Sequence, residues 1–239
     1  MKNVYIGTSG WAYPSWKPGF YPPKTASAKF LEYYASQLNC VEVNYTFRAR
    51  AAESTLQKWA DAVPDGFRFG FKAHQRITHI KRLKDVGDDV ASFCASLQPV
   101  IEAHKLGPIL FQLPPNLKKN AELLQDFLRS VPKKAQIAIE YRHESWFDDA
   151  VYALMREHDV ALCVAESDEL QVPEVHTASF GYFRFRMSDH SEEKIASLES
   201  RVAEAAKERE VYAFLKHEET PAGALSARVI LEHLQSAKV

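Results

Sequence analysis

Glu42, Lys72, Glu140 and Arg184 are the residues of this 239-residue chain best suited to chemistry. Each sits in a short apolar run whose hydrophobic side chains alternate with small or polar ones: Val41-Glu42-Val43-Asn44, Phe69-Gly70-Phe71-Lys72, Ile137-Ala138-Ile139-Glu140 and Phe183-Arg184-Phe185-Arg186. Neighbouring side chains of a strand point to opposite faces. One face therefore carries Glu42 with Asn44, Lys72 with His74, Gln112 beside Phe111, Glu140 with Arg142, and Arg184 with Arg186. A last run, Val211–Lys216, adds Lys216 or His217 according to its register. Arginine offers a planar fork that fits carboxylate and phosphate. Glu140, with Glu42, is a candidate general acid or base if burial and neighbours tune its pKa. Lys72, desolvated beside arginines, is a candidate base or Schiff-base nucleophile. The expected ligand is a small anionic metabolite bearing phosphate or carboxylate.

Such a site needs elements that bring distant strands to one place. Eight runs read as strands: Val4–Thr8, Cys40–Asn44, Arg68–Lys72, Ile109–Leu113, Gln136–Tyr141, Ala161–Ala165, Tyr182–Arg186 and Val211–Lys216. Between them, helical spacing predicts helices over Thr25–Leu38, Ala51–Ala62, Val86–His104, Ala121–Ser130, Phe147–His158, Glu192–Arg209 and Ala222–Leu234. Eight units in this length are about 30 residues each, the size of a βα repeat. The pattern predicts a single-domain (β/α)8 barrel over residues 1–239, irregular around strands six and seven, where Glu166–Ser179 shows no helical pattern. In such barrels the C-terminal strand ends form the active-site mouth, which is where the charged residues fall. The bulky alternates suit the helix layer. Ion pairing alone, Glu42 with Lys72 and Glu140 with Arg184, is the competing account. Burying ions costs several kcal/mol even when they are paired, which favours a ligand site.

Composition narrows the classes. Thirty Lys and Arg offset 31 Asp and Glu, and 46% of residues are hydrophobic. The chain is too apolar for disorder and lacks the basic excess of a polyanion-coating protein. No apolar stretch is long enough for a membrane span, and the start shows no signal-peptide core. Three widely spaced cysteines, Cys40, Cys94 and Cys163, suggest neither a disulfide framework nor a metal pair, so a reduced cytoplasmic protein is expected. No Gly-x-Gly-x-x-Gly turn follows a strand, and no cofactor is expected.

Other readings stay open. Glu42 and Glu140 could form a glycosidase pair across the barrel. Metal-dependent hydrolysis would draw on Glu42, Glu140, Glu166, His74, His143 and His217, but no His-x-His or His-Glu-x-x-His spacing is present, and no metal is expected. The cations of His74–Lys84 could bind nucleic acid as part of a non-catalytic barrel, although a phosphate-gripping or solvated loop is the better reading at this net charge. Trp11, Tyr13, Trp16, Phe20 and Tyr21 follow strand one, as a stacking wall for substrate or as an apolar plug under a long loop.

Ile6-Gly7-Thr8-Ser9-Gly10-Trp11, Gly19-Phe20-Tyr21-Pro22, Val41-Glu42-Val43-Asn44 with Thr46-Phe47, and Phe69-Gly70-Phe71-Lys72-Ala73 with Thr78-His79 form a distinctive set. Leu106-Gly107-Pro108, Phe111-Gln112-Leu113-Pro114-Pro115 and Glu140-Tyr141-Arg142-His143 with Ser145-Trp146 extend it along nearly the full length. This set resembles the DUF72 (YecE-like) family. The resemblance implies a TIM-barrel-like fold and supplies no reaction.

Overall fold

The computed structural model describes residues 3–166, 170–186, 189–216 and 219–236. Eight strands close into one parallel barrel in sequence order: β1 Val4–Ser9, β2 Cys40–Val43, β3 Arg68–Lys72, β4 Leu106–Gln112, β5 Ile137–Glu140, β6 Val160–Ala165, β7 Phe180–Arg186 and β8 Glu210–Lys216. β8 pairs with β1 to complete the ring. The predicted (β/α)8 barrel is the observed one.

Strand alternation divides two cores. Tyr5, Cys40, Leu110, Ala138, Ala161, Cys163, Phe180, Tyr182, Tyr212 and Phe214 fill the lumen. Their alternates, among them Val41, Phe69, Phe71, Ile109, Phe111, Ile139, Phe183 and Phe185, pack under the helices. Filling the lumen mainly from its N-terminal side leaves the opposite end for polar groups. Gly7 is required where β1 meets β2, since a Cβ there would lie 1.9 Å from the Cys40 carbonyl oxygen.

The helices are α1 Phe30–Gln37, α2 Glu53–Asp61, α3 Gly87–Ala95, α4 Gln98–Glu102, α5 Ala121–Ser130, α6 Asp149–Glu157, α7 Glu192–Ala206 and α8 Ala222–Ser236. Asn120, Asp148 and Ser191 cap α5, α6 and α7 by accepting hydrogen bonds from the Leu123, Ala150 and Lys194 amides. These caps occupy donors that a helix start otherwise leaves unpaired. The continuous helix expected over Val86–His104 is instead α3 and α4. Pro99 lies in the first turn of α4, the one place where its missing N–H costs nothing, and it could not have continued α3.

The expected irregularity between β6 and β7 is present. Among the described residues no helix crosses there. Thr177 ties this connection to β6, its hydroxyl accepting from the Leu162 amide at 2.8 Å and donating to the Val160 carbonyl at 2.7 Å. Asp159 holds the end of the crossover through the Ser179 amide and hydroxyl, at 2.6 and 2.7 Å. No helix among the described residues is long and apolar enough to cross a membrane.

Candidate functional site

The strand ends carry a buried ion cluster with a cavity above it. Arg184 of β7, 7% exposed, lies between Glu42 of β2 and Glu140 of β5, both fully buried. Its Nη2 donates to Glu42 Oε1 at 2.8 Å and its Nη1 to Glu140 Oε2 at 2.5 Å. Glu42 also accepts from the Ser9 hydroxyl at 2.9 Å and the Tyr182 hydroxyl at 2.6 Å. Glu140 accepts from Gln112 Nε2 at 3.0 Å and pairs with Arg142. The other end of the Gln112 amide accepts from Lys72 Nζ at 2.8 Å. One polar chain thus crosses the barrel from Ser9 to Lys72. It was assembled by the alternation that sent Phe and Ile side chains outward.

The electrostatics separate the two candidate proton-transfer groups. Burial raises the Glu140 carboxyl, but Arg184, Arg142 and the Gln112 hydrogen bond together overcome this and hold it below its ordinary value. A carboxylate so fully donated to is a poor proton acceptor. In this arrangement Glu140 holds arginines in place, which weighs against the expected role as general acid or base. Lys72 behaves oppositely. Burial, with Arg184 and Lys216 nearby, brings its ammonium down to about 8, against the pull of Glu42 and Glu140. Its Nζ lies over the Phe47 ring, 4.1 Å from the centroid. The expected Glu42–Lys72 ion pair is not formed; Glu42 is occupied by Arg184, Tyr182 and Ser9.

The cavity holds about 820 Å³, within the range of small-molecule sites. Asn44, Lys72, Gln112, Arg142, Arg184, Arg186 and Lys216 line it, as their strand positions predicted. The β8 register selects Lys216, since Arg186 pairs across to it. His217 lies outside the described residues. Two expected wall residues are elsewhere. Trp11 packs edge-on against Trp59 of α2, 5.0 Å between ring centroids, and its carbonyl oxygen accepts from the Tyr21 hydroxyl at 2.5 Å. His74 turns away: its Nδ1 accepts from the Arg76 amide and its Nε2 lies 3.3 Å from the Arg48 carbonyl oxygen.

His79 enters in its place. A π-helical turn over Arg76–Ile80 carries it into the wall, against the edge of Phe47 at 5.0 Å. Burial, Lys72 and Arg82 lower its pKa, so it is neutral near pH 7. Arg48, Phe47, His143 and Glu144 complete much of the rim. Alternation could not find these residues because they stand on loops, although Phe47 and His79 lie within the motifs Thr46-Phe47 and Thr78-His79. The cations of the His74–Lys84 loop are largely engaged: Arg76 and Lys81 share Asp89, and Arg82 makes two hydrogen bonds to Asn116. Among the described residues no group of three or more His, Cys, Asp or Glu is arranged to hold a metal. A single guanidinium separates Glu42 from Glu140, leaving no space for a sugar and its water between them.

Known proteins fit this fold throughout. UPF0759 protein YunF of Bacillus subtilis is 33% identical over 155 residues, which cover 62% of this chain and 54% of YunF. UPF0759 protein YecE of Escherichia coli K12 is 31% identical over 145 residues, covering 60% and 50%. The chain spans about half the length of these curated relatives. A DUF72 family structure from Thermotoga maritima superposes with a TM-score of 0.86 at 26% identity, over 98% of this chain and 99% of that one. A sugar phosphate isomerase/epimerase from Parabacteroides distasonis has a TM-score of 0.56 at 9% identity, covering 98% and 97%, and shares the fold alone. The family described as "Protein of unknown function DUF72" matches residues 5–239, and the chain belongs to it.

Proposed function

We propose that this protein is an enzyme that binds a small anionic metabolite, bearing carboxylate or phosphate, at the C-terminal mouth of its barrel. The observation that carries this reading is the imbalance of charge in the cavity. Arg48, Lys72, Arg142, Arg184, Arg186 and Lys216 line it with Glu144 as the carboxylate among the described wall residues, while Glu42 and Glu140 are consumed beneath by Arg184 and Arg142. Cations clustered in a low-dielectric cleft focus a field that attracts anions. Arg184 and its two carboxylates form the rigid floor. Arg142, Arg186 and Lys216 grip the ligand, and Lys72 with His79 is left to move protons. A nucleic-acid role is less favoured because the basic loop spends its charge on Asp89 and Asn116.

Titration calorimetry at low ionic strength with inorganic phosphate, sulfate and pyruvate tests the reading. The wild type should bind at least one of them. Arg186→Ala, at an exposed strand end, should weaken that binding roughly tenfold or more, as expected for loss of a charge-assisted contact. A wild type that gives no binding heat with any of these anions would overturn the proposal.

A further inference from the structure

Two arginines at the base of the cavity are matched to carboxylates. Arg184 takes Glu42 and Glu140, and Arg142 takes Glu140. Lys72 instead donates to a neutral amide oxygen, Gln112 Oε1, and among the described residues no carboxylate lies within ion-pair distance of it. Gln112 is itself fixed by donating to Glu140, so it can accept from Lys72 but cannot take its proton. Phe47 covers the amine from one side, and Phe47 also carries His79 against its edge. A purely structural lysine at a barrel mouth would be expected to have a carboxylate partner. This one is held in place and kept short of counter-charge.

From this juxtaposition we infer that Lys72 is a covalent nucleophile that forms an imine with an aldehyde or ketone carrying an anionic group. The inference rests on the anion-binding reading and names the substrate class of the same cavity. Lys72 and the cations Arg142, Arg186 and Lys216 face one small volume, so a carbonyl head and an anionic tail fit in a single molecule. In the reaction the Nζ lone pair forms the N–C bond while the carbonyl π bond breaks onto oxygen. Neutral His79 carries one amine proton to that oxygen. A further proton from solvent lets the hydroxyl depart as water, and the protonated imine remains; nothing is oxidised or reduced. The groups facing Lys72 divide in their effect on the free amine. Arg184 and Lys216 favour it along with burial, Glu42 and Glu140 oppose it, and His79 stands neutral. With its ammonium at about 8, Lys72 offers roughly two- to three-hundredfold more free amine at pH 7 than an ordinary lysine.

The test is reductive trapping. The protein is incubated with glyoxylate, pyruvate or dihydroxyacetone phosphate, and separately with neutral dihydroxyacetone, in sodium cyanoborohydride at pH 7, then mapped by peptide mass spectrometry. The expected result is one reduced adduct on Lys72 with an anionic carbonyl, at least about tenfold above any other lysine and above the neutral control. It should be suppressed by excess phosphate and absent from a folded Lys72→Met protein. Label spread evenly over surface lysines, or no label on Lys72, while calorimetry still detects anion binding, overturns the imine and leaves the anion site standing. Loss of both anion binding and label overturns both.

Discussion

Arg184 is the residue on which the site turns. Its guanidinium neutralises two carboxylates that would otherwise face each other in a buried lumen. Arg184→Met removes the shared partner of Glu42 and Glu140, and should destabilise the protein by about 3–5 kcal/mol at pH 7. The pH dependence follows from Glu140. Its folded pKa lies below the unfolded value, so its contribution to stability is complete above the ordinary carboxylate range and disappears as pH falls through the depressed value. Without Arg184 that contribution is gone, and urea midpoints of variant and wild type should stay apart down to the ordinary carboxylate range and converge as pH falls below it. Equal midpoints at pH 7 would show that the cluster does not stabilise the fold. The identity of these residues, and their common face, were legible from alternation alone. Their division of labour was not. Whether a buried carboxylate is a base or an anchor depends on how many donors reach it, and those donors come from strands far apart in the chain.

Among the elements, the β6–β7 connection is the most unusual. Within it the Thr177 hydroxyl pairs with the Leu162 amide and the Val160 carbonyl of β6. Thr177→Val keeps the shape and removes both hydrogen bonds, leaving the Leu162 amide and Val160 carbonyl unpaired in a buried position. A loss of about 1–3 kcal/mol in chemical denaturation is expected. A neutral change would mean that the crossover is held by packing alone. The sequence pattern located this irregular unit because helical periodicity was missing from it. It did not locate the turn that carries His79. A single π-helical turn leaves no periodic trace, and a histidine five residues further along the chain took the place assigned to His74. The split between α3 and α4 was readable from Pro99, whose ring cannot follow a continuing helix.

At the scale of the whole molecule, closure of the barrel converts a nearly neutral chain into one with a concentrated cationic mouth. Eight strands, their order and their inward faces could be read from sequence, because period-two alternation is strict and each strand is short. The cavity and its chemistry could not, because loops supply Phe47, Arg48, His79 and His143, and loop residues carry no periodicity. The central claim is that this mouth holds anions beside an amine whose ammonium is brought down to about 8, so that about a tenth of it is free at pH 7. Heteronuclear NMR titration of Lys72, assigned by comparison with Lys72→Met, reads that amine directly. In the free protein it should titrate near 8, and saturating phosphate should move it upward, because a bound anion stabilises the ammonium. A Lys72 that titrates like an exposed lysine and does not respond to phosphate would contradict the account.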